Sequence, residues 1–177
     1  MRTHEHCFRI QQHPYYQELN QRLAPLILAM AENETDFRIA NGADIGSASW
    51  KDRHQYFSLD SSWHSRDDLF LDHDFQEICD FIKSIVPAGV CFTSMWAKVA
   101  KKGNLGMMHR HRGTLSGIYY VDVGSEQSAC VNFYHNNTKH TIEPKNGDML
   151  TFPAWMFHDV DEYMGLAPRI NLSWNMA

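Results

Sequence analysis

The sequence lacks most of the features that announce a function class directly. Its 177 residues include only four cysteines, Cys7, Cys79, Cys91 and Cys130, widely separated and without a Cys-x-x-Cys pair. They read as reduced thiols and argue against a zinc ribbon or a disulfide framework. No apolar run approaches the roughly 18 residues that span a bilayer, so no membrane association is expected. The N-terminus, Met1-Arg2-Thr3-His4-Glu5-His6-Cys7, has no apolar core segment, which predicts no secretory signal and a cytoplasmic chain. Positive charge is scarce too: 16 lysines and arginines stand against 21 acidic residues, for a net charge of −5 with histidines neutral. Apart from Lys101-Lys102 and the Arg110/Arg112 pair the cations are scattered, so the electrostatic footprint of a nucleic-acid binder is missing. Internal repeats, low-complexity tracts and long Pro/Gly/Ser linkers are absent as well, and the length suits one domain over 1–177.

What is present is a globular composition, 44% hydrophobic and 21% charged, with a change of character near Pro87. Helical patterns precede that point. Leu19, Leu23, Leu26, Ile27 and Met30 share one helical face, and Pro25 within the pattern predicts a kink or break. From Asn33 to Ser49, turns with short strands are expected, marked by Asn41-Gly42, Gly46 and Ser47. Trp50 to Phe70 is aromatic, charged and aperiodic, as an irregular lid or cover would be. Asp74 with Glu77 has the spacing of a capping box ahead of a helix whose buried stripe is Ile78, Phe81, Ile82 and Ile85, ending at Pro87-Ala88-Gly89. Residues 1–88 thus read as helical support with a possible lid.

Residues 89–177 read as strands. Cys91–Ala100, Leu115–Val121, Ala129–Phe133, His140–Ile142, Asp148–Phe152, Met156–Val160 and Arg169–Trp174 each have strand length and composition, with turns at Gly103-Asn104, Gly113, Gly124, Asn136-Asn137 and Asn146-Gly147. Helices followed by many short strands predict a β-barrel or sandwich with helices packed outside it.

Within this strand-rich half, His109 and His111 stand two residues apart, a spacing that turns both imidazoles to one side of an extended segment. His158, in a later strand after a turn, supplies a third imidazole, and three converging imidazoles bind a transition metal without choosing which one. His4-x-His6 repeats the spacing, but at a polar terminus where solvated side chains are expected. Eleven residues beyond His158 lies Arg169, which opens the alternating segment Arg169-Ile170-Asn171-Leu172-Ser173-Trp174-Asn175-Met176. If its polar face looks into a barrel, Arg169 requires an anionic partner, and a carboxylate is the natural bidentate one.

From Trp96 to Asn175 the chain resembles the non-haem iron(II), 2-oxoglutarate-dependent oxygenases, in particular a bacterial and phage branch. The resemblance rests on Trp96, the Gly103-Asn104 turn, His109-x-His111, Ser116-Gly117-Ile118-Tyr119-Tyr120, Gly147-Asp148-Met149-Leu150-Thr151-Phe152-Pro153 before His158, and the Arg169 strand. It implies a double-stranded β-helix, or jelly roll, with N-terminal helices outside. It also implies iron(II) on His109, His111 and His158, and 2-oxoglutarate as co-substrate with its distal carboxylate on Arg169. Decarboxylation to succinate would then be coupled to oxidation of a primary substrate that the sequence does not name. Asn104, Tyr119, Asn171 and Ser173 become candidates for co-substrate contacts, with Tyr120, Phe152 and Trp174 as further pocket walls. Two positions depart from the wider pattern: His111 stands where most members carry Asp or Glu, and Asn171 stands where many carry the serine of an Arg-x-Ser pair. A three-histidine dioxygenase that needs no oxo-acid and a non-catalytic jelly-roll binding module are the other readings.

Overall fold

The strand-forming half of the chain builds two facing antiparallel sheets. In the computed structural model residues 2–3, 8–40, 62–124 and 129–177 are described. The strands are β1 (Arg2–Thr3), β2 (Arg9–Gln12), β3 (Trp63–His64), β4 (Phe92–Ala100), β5 (Gly106–His109), β6 (Leu115–Asp122), β7 (Val131–His135), β8 (Thr138–Ile142), β9 (Asp148–Pro153), β10 (Phe157–Val160) and β11 (Arg169–Met176). One sheet runs β1-β2-β9-β6-β11-β4-β3 and the other β5-β10-β7-β8. From β4 onward the chain passes back and forth between the sheets, and among the described residues the strands of each sheet pair antiparallel. That winding is the double-stranded β-helix expected from the sequence.

Two cores follow from the alternation of side chains along these strands. Ile118, Tyr120, Val131, Phe133, Leu150, Phe152 and Met156 fill the space between the sheets. Tyr119, Val121, Met149, Leu172 and Trp174 point the other way, into a second core shared with the helices. Strand β6 is therefore buried on both faces, which explains its nearly continuous apolar run. Gly117 is dictated by this packing: a Cβ there would stand 2.2 Å from the Trp174 ring and 2.6 Å from the Leu150 carbonyl oxygen. The Asn136-Asn137 turn joining β7 to β8 places both residues at positive φ, 49° and 61°, the backbone of a tight two-residue hairpin.

Helix α1 (Tyr16–Asn33) lies over the larger sheet with Leu19, Leu23 and Ile27 buried. It runs unbroken through Pro25, against the expected kink or break. Three buried aliphatic side chains contribute roughly 1.5–3 kcal/mol each, more than the approximately 3 kcal/mol an interior proline costs. Pro25 is itself on the exposed side, where water can reach the carbonyl it leaves unbonded.

Two further expectations need correction. Phe37–Ala40 forms a short helix, α2, where turns and strands were anticipated. Asp36 causes it, by accepting the backbone N–H groups of Arg38 and, from β3, of His64 at 2.9 and 3.0 Å. Asp74 does not cap the next helix. The Asp72 side chain accepts the Asp74 N–H and starts a 3-10 turn, His73–Phe75, that leads into α3 (Gln76–Ile85). The supposed lid is only partly described: residues 41–61 lie outside the described residues, whereas Trp63–His64 pairs with β4 as an edge strand. Strand β2, unforeseen, extends the larger sheet beside β9. No helix among the described residues is long and apolar enough to cross a membrane.

Candidate metal and co-substrate site

Strands β5 and β10 bring the histidines together. His158 is the direct cross-strand partner of His109, and their ring centroids lie 4.3 Å apart. Strand β5 ends at His109, so His111 does not reach the site along the extended face that its spacing suggested. It comes from the following loop, held by its backbone N–H donating to the Ala154 carbonyl at 2.8 Å. The three rings still converge, with His111 centred 4.9 Å from His109 and 5.1 Å from His158. One nitrogen from each ring falls within 4.8 Å of the others. The His4-x-His6 pair lies outside the described residues.

The other ring nitrogens are already committed. His109 Nδ1 lies 2.7 Å from the Met107 carbonyl and His158 Nδ1 3.0 Å from the Met156 carbonyl. Donation to those carbonyls fixes the tautomer and leaves the Nε2 lone pairs for a metal. Burial lowers the His158 pKa to about 3, with the neighbouring His109 charge adding to the effect. Burial likewise holds His111 well below its usual range, helped by His109 and His158. Both imidazoles are therefore neutral near pH 7, the form that ligates. Phe152 and Phe133 pack on His158 at 4.8 and 5.7 Å, and Trp96 lies 6.1 Å from His111. The donor set suits iron(II), and the apolar wall keeps water from the ligands.

Beside the triad a cleft of about 350 Å³, solvent at its mouth included, is lined by Lys98, Asn104, Ile118, Tyr120, Arg169 and Asn171 among others. It lies near the triad along β10: Val160, which lines it, stands two residues beyond His158. Two residues of strand are roughly 7 Å. Arg169 is buried at 4% exposure, its Nε has no hydrogen-bond partner, and no acidic side chain among the described residues pairs with it. Its guanidinium lies over the Tyr120 ring, 5.3 Å from the centroid. Tyr120 Oη is also buried without a partner, and burial raises its pKa to about 12 despite the attraction of Arg169. An orphaned buried cation beside an orphaned hydroxyl, in a wall without acids, is the environment a carboxylate satisfies.

The structure sorts the remaining candidates. Asn104 lines the cleft, and its side-chain oxygen accepts the Lys101 N–H at 2.7 Å to close the Gly103-Asn104 turn. Asn171 lines it too and donates to Ser173 Oγ at 3.2 Å. Ser173 stands one inward position further along β11, opposite Trp96 and outside the cleft lining. Tyr119 does not face the cleft: its hydroxyl donates to Asn20 of α1 at 2.7 Å. Trp174 is likewise turned toward the helices, where its Nε1 approaches Met149 Sδ at 3.3 Å. One buried residue on each side of Tyr119 faces inward, so Tyr120 is the tyrosine of the site. Lys98 escaped the sequence reading, although it shares the parity of Trp96 and thus its face of β4.

The imidazole triad and the cleft thus sit together in a double-stranded β-helix. Residues 132–175 match the family described as "Putative 2OG-Fe(II) oxygenase". No curated protein matches the chain in sequence. Solved structures share its fold. A prolyl-4-hydroxylase from Pseudomonas putida superposes with a TM-score of 0.67 at 15% identity, covering 96% of this chain and 91% of that one. The α-ketoglutarate-dependent epimerase SnoN from nogalamycin biosynthesis gives 0.70 at 8% identity, covering 96% and 77%. HygX from Streptomyces hygroscopicus with nickel and 2-oxoglutarate bound gives 0.64 at 8% identity, covering 96% and 82%.

Proposed function

We propose that the protein couples oxidative decarboxylation of 2-oxoglutarate, giving succinate and carbon dioxide, to oxidation of a second substrate. The carrying observation is the pair Arg169 Nε and Tyr120 Oη, both buried without a hydrogen-bond partner, in a cleft whose wall residue Val160 stands two positions along the strand from His158. His109, His111 and His158 hold iron(II), which when bound supplies the redox chemistry toward dioxygen. Arg169 and Tyr120 take the distal carboxylate and fix the length of acid accepted. Phe133, Phe152 and Trp96 exclude water around the ligands. Because all three ligands are neutral, the centre carries one more positive charge than a site with two imidazoles and a carboxylate, and it draws the anionic acid more strongly.

The test is succinate release from iron-loaded protein supplied with 2-oxoglutarate and oxygen, with or without a second substrate. Turnover that is lost in His158→Ala supports the reading. If the iron protein neither binds nor consumes 2-oxoglutarate, the site is not an oxo-acid site.

A further inference from the structure

We infer that the outer face of the four-stranded sheet is a self-association surface, on which two copies of the chain pack face to face with their strands antiparallel. It is independent of the metal and co-substrate reading. The inner face of this sheet carries His109, His158 and Phe133, so the residues between them along each strand point outward. A sheet face turned to solvent is ordinarily polar. Here Phe157 of β10 lies beside Tyr134 of β7, Met107 and Met108 stand on the edge strand β5, and Trp155 packs on His135 at 5.7 Å between ring centroids. The two methionines, Trp155 and Phe157 are each 42–52% exposed. The Arg110 guanidinium lies over the Phe157 ring, 5.2 Å from its centroid. Aromatic rings, methionine and arginine are the side chains enriched where proteins associate.

Charge determines which partner this face fits. The strand register puts Arg110, Phe157, Tyr134 and Lys139 in one row across the four strands, Arg110 being the residue that follows β5. Asp159 stands in the next outward row, and Asp161 and Glu143 in the one after, on either side of Cys130. Burial raises the Cys130 thiol pKa and the charges of Asp161 and Glu143 raise it further, in keeping with two carboxylates at this end. The face is therefore basic at one end, acidic at the other and apolar between. Arg110, Lys139, Asp159 and Asp161 form no ion pair among the described residues. A two-fold axis lying across the strands reverses their direction and sets the basic end of each copy over the acidic end of the other, whereas an axis along the strands sets like on like. In the first arrangement Lys139 meets Glu143 of the second copy, and Arg110 meets its Asp161. Facing sheets pack about 10 Å apart, a gap these side chains bridge. Four strands spaced about 4.8 Å, over some five residues each, give a face of roughly 300 Å². That is the small end of specific interfaces, so the dimer is weak and concentration-dependent.

Sedimentation velocity of the full chain over roughly 1–100 μM, the range for an interface of this size, is expected to show a monomer–dimer equilibrium. The dimer should weaken as salt is raised to about 1 M, where charges are screened beyond about 3 Å. Lys139→Glu and Glu143→Lys, both at exposed positions, test the arrangement. In a dimer of either variant like charges meet at two places, and the association should weaken roughly tenfold. In an equimolar mixture of the two variants every contact is again between opposite charges, so the mixture should recover the parent's dimer. Met108→Glu, in the apolar middle, should leave only monomer. Thermal midpoints establish that each variant is folded; where a reversal is not, Lys139→Gln or Glu143→Gln takes its place and should weaken the dimer to a smaller extent. A parent that stays monomeric throughout overturns the second copy as the occupant of this face. Variants that dimerise as the parent does, or a mixture that associates no better than its components, overturn the antiparallel packing.

Discussion

His109 and His158 face each other across the β5–β10 ladder, and each ties its Nδ1 to the carbonyl two residues before it in the chain. The same local device on two antiparallel strands aims both remaining nitrogens at one point before any metal arrives. His111 has no such tie and depends on a loop anchored to Ala154. His158→Ala should therefore lower iron affinity more than about a hundredfold, beyond the loss from disturbing a ligand's supporting bond. His111→Asp should keep the iron, because its loop can present a carboxylate, itself an iron(II) ligand, in place of the imidazole. Iron per protein after gel filtration checks both.

Acid should destabilise the metal-free protein through these same rings. His158 titrates near 6.5 when unfolded and near 3 when folded, and His111 is lowered as well. Between those values the unfolded chain binds protons that the folded chain excludes. Stability is thus full above about pH 6.5 and falls as the pH drops, by up to approximately 1.4 kcal/mol per pH unit for each histidine. Urea midpoints of the chelated protein at pH 7 and pH 5 measure the slope.

Arg169→Met should separate stability from binding. Replacing a buried, unpaired cation with an apolar chain of similar length removes a desolvation cost, so the unliganded protein gains about 1 kcal/mol or more. For a chain of this size that raises the thermal midpoint by roughly 2–4 °C. The co-substrate should lose its distal anchor in the same variant.

The two adjacent tyrosines should behave oppositely. Tyr119→Phe loses a hydrogen bond to Asn20 and costs about 1 kcal/mol without touching 2-oxoglutarate affinity. Tyr120→Phe removes a hydroxyl with no protein partner, leaves stability near the parent value, and weakens 2-oxoglutarate binding. Denaturant unfolding and calorimetric titration of both variants decide it.

Gly117→Ala tests the motif's packing. Its Cβ meets the Trp174 ring and a fixed carbonyl, and overpacking of this kind costs about 1–3 kcal/mol. A lower urea midpoint with an unchanged slope is expected.

The parts legible in the sequence are those where alternation is strict. Arg169 to Met176 divides cleanly into an inward polar row and an outward apolar row, and Arg169 and Asn171 of the inward row line the cleft. Tyr119 and Tyr120 could not be told apart that way, because β6 is buried on both faces and reads as an unbroken non-polar run from Gly117 to Val121. Lys98 was passed over because a lysine in a strand ordinarily reads as a solvated side chain. Strand β2, Arg9-Ile10-Gln11-Gln12, has only one apolar residue and owes its place to pairing with β9. Asp72 replaced Asp74 as a cap because a 3-10 turn precedes the helix, and no periodicity in the sequence marks such a turn.

The pairing of His109 with His158 has one more consequence, for the lifetime of the folded chain. The two residues are separated by about fifty positions, so a metal held by both closes a long loop and acts as a reversible cross-link. Chelation opens that link. The metal-free protein should then be digested faster by protease and regain its resistance when iron returns, which makes iron supply a control on abundance as well as on chemistry.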